Sequence, residues 1–113
     1  FALEEGSAEN EFHYELVLTQ LKRNDKIISG AVVWQITGEM PDYRTEIGLD
    51  RVTEPAVKEL KFRFRYFQEL TGTITLPEGF KAEQVVLTIK PSGKGKARTE
   101  PVVQSFDWVA MSS

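Results

Sequence analysis

The chain has 113 residues, of which 41% are hydrophobic and 27% charged, with a formal net charge of -3, a balance that suits one globular domain around one core. It contains no cysteine and a single histidine, His13. Thiol catalysis, thiolate metal sites, disulfide frameworks and multi-histidine metal cages are thereby excluded, and no metal or cofactor is expected.

Residues 1–11 (FALEEGSAENE) are acidic and lack two-residue alternation. They read as a tether, or as the last turn of a preceding helix closed by Gly6. From Phe12 the pattern changes. Phe12, Tyr14, Leu16 and Leu18 alternate with His13, Glu15, Val17 and Thr19, the period of a half-buried strand with its even positions inward. The polar run from Lys22 to Lys26 then suits a hairpin turn, and Ile28, Gly30, Val32, Trp34 and Ile36 continue the even parity. These two strands are expected to pair antiparallel, with Trp34 as a core anchor. Gly38 and Pro41 break the pattern, and a short edge strand follows between Thr45 and Val52 with Ile47 and Leu49 inward.

The clearest alternation begins at Leu60. Leu60, Phe62, Phe64 and Tyr66 fall on one face, and Lys61, Arg63 and Arg65 on the other. Even parity runs on through Leu70, Gly72, Ile74 and Leu76, but a straight strand of that length would span about 50 Å at roughly 3.3 Å per residue. A bulged corner is therefore expected between Phe67 and Gly72. Phe67 itself points outward by parity; either the bulge turns it into the core or it stands as an exposed anchor for a partner. Pro77-Glu78-Gly79 reads as a turn and Phe80 as a plug at one end of the core. Val85, Leu87 and Ile89 form a further strand, stopped at Pro91 by a loop through residue 101. Val102, Gln104, Phe106 and Trp108 alternate as a last strand before a frayed tail at 110–113.

The whole is predicted to be an all-β fold, an antiparallel β-sandwich of six to seven strands spanning residues 12–109, with a small open β-barrel as the alternative. Trp34, Phe62, Phe64, Tyr66, Phe80, Phe106 and Trp108 are placed in or near the core.

Little in the chain reads as catalysis. His13 lies on the outward parity beside Glu15, as a solvated side chain would, and the separated acids Glu46, Asp50, Glu69 and Glu83 have nothing in the sequence to pair them. The Gly93-Lys94-Gly95-Lys96 run lacks the spacing of a phosphate-binding loop. Aromatics interleaved with cations from Lys61 to Phe67 resemble a nucleic-acid platform, yet period two sends rings and cations to opposite faces, and net acidity opposes a backbone-tracking groove. Nucleic acid is therefore not expected as a partner. The stripe of Lys61, Arg63 and Arg65 with Phe67, extended by Lys94, Lys96 and Arg98, is instead the expected contact surface for a protein partner. The rival reading is a small-ligand or glycan module in which exposed rings such as Tyr43 and Phe67 share one concavity.

Phe64-Arg65-Tyr66-Phe67-Gln68, Gly72 to Phe80, Val85 to Ile89 and Ser105-Phe106-Asp107-Trp108 together resemble a proteobacterial family of single-pass inner-membrane proteins of unknown function. Its pattern is a basic cytoplasmic start, one transmembrane helix, a coiled-coil stalk and a terminal all-β domain. The resemblance covers about Phe12 to Trp108. The family has no established reaction or ligand to transfer, and what it implies is placement at the periplasmic face of the inner membrane; a non-catalytic domain there that docks another envelope protein is the expected role. The resemblance also implies an anchor in a segment outside this chain and an oligomer built through the stalk, with Phe1 to Glu5 at the stalk's end.

Overall fold

A computed structural model describes residues 1–19, 27–91 and 101–111. Among these, the strands in chain order are β1 (Ala2–Glu5), β2 (Glu11–Thr19), β3 (Ile28–Met40), β4 (Tyr43–Gly48), β5 (Leu60–Phe64), β6 (Phe67–Thr75), β7 (Lys81–Pro91), β8 (Val102–Asp107) and β9 (Ala110–Met111). They form two sheets that do not close into a barrel. The first has the order β6-β2-β1-β9; the second has the order β4-β3-β7-β8, with β5 also paired to β3. β1 and β9 run parallel, and the other described pairs are antiparallel.

Alternation builds the core. Tyr14, Leu16 and Leu18 of β2 and Ile74 of β6 face Val32, Trp34 and Ile36 of β3, Phe62 and Phe64 of β5, and Val85 and Leu87 of β7, all buried. Ile47 and Leu49 are buried as expected, the latter in a short 3-10 turn after β4. The turn at Gly79 (φ 84°) brings Phe80 back into the core, and Phe106 and Trp108 pack against its margin.

Several expectations give way to different arrangements. β2 and β3 are not a hairpin pair, because they lie in opposite sheets, and the connector meant to join them falls within residues 20–26, outside the described residues. Their two apolar faces meet across the sandwich, with the Tyr14 and Trp34 rings edge to face at 5.0 Å. A strand with one apolar face specifies what it faces, and that does not settle which strand lies beside it.

Residues 2–5, read as a tether or helix end, form β1. Gly6 N–H donates to the Glu11 carbonyl (2.7 Å) and the chain returns as β2. One buried apolar residue, Leu3, is too little alternation to recognise. The tail expected to fray pairs with β1 through Ala110 and Met111. With β1 and β9 added, the described strands exceed the six or seven expected.

The corner also moves. The chain leaves the second sheet after Phe64, bends at Arg65 and Tyr66, and enters the first sheet at Phe67. Two residues in the bend preserve parity, so the pattern through Leu76 looked unbroken. Tyr66, placed in the core by that parity, is 67% exposed because it sits in the bend.

Candidate functional site

On β5 the rings Phe62 and Phe64 turn inward while Lys61 and Arg63 face solvent. The register gives these cations their neighbours. Ala31 of β3 lies opposite Lys61 on one side and opposite Lys90 of β7 on the other, and Ser29 lies opposite Arg63. Lys61 and Lys90 thus stand two strand spacings apart, about 10 Å, across a methyl group. Lys61 and Arg63 are two residues apart on one strand, about 6.8 Å. The result is an open groove of about 720 Å³ floored by Ser29, Gly30 and Ala31 and walled by Lys61, Arg63 and Lys90. Gln68 and the acid Glu59 complete its rim.

No ion pair among the described residues engages Lys61, Arg63 or Lys90. The contrast is at the other end of β3. There Arg44 bonds to Glu83 and to Glu39 (3.0 Å), and the hydrogen bond to Glu83, followed by its charge, raises the guanidinium pKa. That cation is matched by the fold, whereas the groove cations have only Glu59 on the rim and no ion pair among the described residues.

The other residues of the expected stripe lie elsewhere. Arg65 is exposed in the bend. Phe67, 66% exposed, is opposite Thr19 on the outer face of the first sheet, so it does not share a face with Lys61 and Arg63. Lys94, Lys96 and Arg98 lie outside the described residues. Lys90 joins the site only through the register, and Gln68 through the bend that brings its Oε1 to the Arg63 N–H. Lys90 has outward parity on a recognisable strand, but no sequence signal says that this strand neighbours β3.

His13 lines a separate concavity of about 360 Å³ on the first sheet, with Glu4, Glu15, Thr71 and Thr73. Its Nδ1 is 2.9 Å from Thr73 Oγ1, and its Nε2 is 3.9 Å from Glu11 Oε1, beyond hydrogen-bond reach. A nucleophilic hydroxyl needs a base oriented by a third group and donors for the developing oxyanion, whereas this surface is a paired sheet face. Burial raises the pKa of the neighbouring Tyr14 phenol, which keeps it protonated. Glu46, Asp50, Glu69 and Glu83 lie on β4, the 3-10 turn, β6 and β7, with Glu83 committed to Arg44. No three metal-ligating side chains gather among the described residues.

The rings of the rival reading scatter. Tyr43 pairs with Met40 at one end of β3, while Phe67 follows Phe64, which pairs with Ile28 at the other; twelve residue steps separate those ends, about 40 Å. An apolar cleft of about 330 Å³ does open between the sheets near Leu18, Phe64 and Phe106.

The model of a family of unknown function, DUF6776, matches residues 1–87, from β1 into β7. The chain belongs to this family. The family match takes in β3, β5 and Gln68 of the groove and stops short of Lys90. Searches of curated proteins and of solved structures found no match.

Proposed function

We propose that this DUF6776 domain is a non-catalytic interaction domain of a membrane-anchored envelope protein, held at the periplasmic face of the inner membrane, and that it docks a protein partner over β5, β3 and β7. The observation that carries the docking is the convergence of Lys61, Arg63 and Lys90, none of them in an ion pair among the described residues, on one open groove. Cations arranged in this way attract an acidic surface and set the rate and salt dependence of its association. The anchor and its coiled-coil stalk rest on the resemblance of Phe64–Gln68, Gly72–Phe80 and the later strands to inner-membrane proteins of that design. The scatter of Tyr43 and Phe67 removes the shared stacking platform that a glycan module would use.

The test is capture of envelope partners by the anchored full-length protein carrying Lys61→Glu, Arg63→Glu and Lys90→Glu together. Exposed substitutions of this kind change stability by no more than about 0.5 kcal/mol each, so the fold is expected to survive. Capture should fall at least tenfold, and wild-type capture should weaken as salt rises through the range where the Debye length shrinks below about 10 Å. Lys81→Glu, at the far end of β7, serves as the control and should leave capture unchanged. Identical partner sets for the triple variant and the wild type would remove the proposal.

A further inference from the structure

β5 pairs with β3 alone among the described residues, so its other edge carries ladder groups with no described strand beside them. Which groups these are follows from one hydrogen bond. The Arg63 backbone N–H donates to Gln68 Oε1 at 2.7 Å and is therefore not committed to β3. In an antiparallel ladder the backbone groups of successive residues point alternately to the two neighbours. Arg63 and Lys61 thus direct their N–H and C=O groups to the open edge, while Leu60, Phe62 and Phe64 direct theirs to β3. The same two residues carry the outward cations. Gln68 supplies a side-chain carbonyl where the next strand would supply a backbone one.

We propose that the edge of β5 accepts an extended acidic segment of the partner as an added antiparallel strand, with carboxylates on alternate residues and the Gln68 amide displaced from Arg63 N–H. This deepens the docking reading and rests on it. In such an addition the residues opposite Lys61 and Arg63 exchange both backbone hydrogen bonds with them, and their side chains lie on the same outer face. Their spacing, about 6.8 Å for every second residue of a strand, matches that of Lys61 and Arg63. Lys90 adds to the field from across the groove. Intervening residues of the added strand point toward the inner side, where Phe62 and Phe64 lie, and are small or apolar. The cations give the edge its selectivity: they repel an identical edge from a second copy and admit an acidic strand. Backbone bonds then supply affinity and the alternate side chains supply specificity.

The probe is a capped eight-residue peptide of alternating Glu and Val, titrated into the anchored full-length protein in detergent. Amide hydrogen exchange at Lys61 and Arg63 is read alongside affinity. Three variants of the peptide accompany it: one with the four Glu in a block, one N-methylated at the Glu residues and one N-methylated at the Val residues. Strand addition requires that the Glu N–H groups face β5. Methylation there should weaken binding at least tenfold, methylation at Val should change it less than threefold, and the block peptide should bind at least fivefold more weakly. The Lys61 amide should gain protection in the complex. Gln68→Ala, which removes the competing carbonyl, should tighten binding severalfold. If all four peptides bind alike and the Lys61 amide stays unprotected while Lys61→Glu, Arg63→Glu and Lys90→Glu abolish binding, strand addition is wrong and charge docking stands. If that triple variant binds the alternating peptide as the wild type does, the docking reading falls as well.

Discussion

Trp34→Ala is expected to cost about 3–5 kcal/mol of stability, a large part of what a domain of this size has. Trp34 is 2% exposed at the middle of β3, the strand that pairs with β4, β5 and β7. Its ring meets Tyr14 of the opposite sheet at 5.0 Å and Phe1 at 5.8 Å, both edge to face. Removing it opens a cavity where the two sheets are held together, and paired strands relax little to fill such a space. In urea the midpoint should drop by about 2 M, given slopes of about 1–3 kcal/mol/M. The buried indole Nε1 has no hydrogen-bond partner among the described residues. Trp34→Phe gives up that orphan donor while keeping most of the ring, and should cost less than about 1.5 kcal/mol. A loss below about 1 kcal/mol for Trp34→Ala would show that the sheets are held together elsewhere.

Gly38→Ala should be the other large effect, about 2–3 kcal/mol, for a reason of space. A Cβ at Gly38 would meet Phe80 Cζ at 2.8 Å and the Lys81 carbonyl carbon at 2.9 Å, with the Lys81 carbonyl oxygen closer still. Backbone cannot step aside here. Gly38 sits at the register shift between β3 and β7, where Thr37 pairs with Gln84 and Gly38 with Ala82. At Gly48 an added Cβ meets only the end of the Asp50 side chain, so Gly48→Ala should cost less than about 1 kcal/mol. Equal urea midpoints for the two variants would contradict this account of the bulge.

These positions show where sequence reading stops. The even parity of Gly30 and Gly72 was visible, but not why both are glycine. Gly30 lies opposite Phe62 and Gly72 opposite Tyr14; in each case an added Cβ would meet that ring at 2.7 Å, and at Gly30 the Lys90 carbonyl oxygen lies closer still. Aromatic rings of neighbouring strands lie over the glycines, so the reason depends on a register that no local pattern encodes. The same gap explains the misassigned partner of β2. The inward rings and outward cations of β5 were legible because alternation depends on one strand alone. Lys90 and Gln68 were not legible as site residues, since their place depends on which strand pairs with β3 and where the chain turns toward the other sheet. Tyr66 and Phe67 mark the same limit: two bend residues restore parity downstream and hide the corner.

The outer face of β5, β3 and β7 is proposed to meet a partner, and the outer face of the first sheet to meet none. Photo-crosslinking side chains at Lys61, Lys90 and Thr71 of the full-length protein, irradiated in living cells, address this directly. The expected result is one discrete adduct of common size from Lys61 and Lys90 and none from Thr71. Adducts from Thr71 alone, or the same adduct from all three sites, would contradict the account.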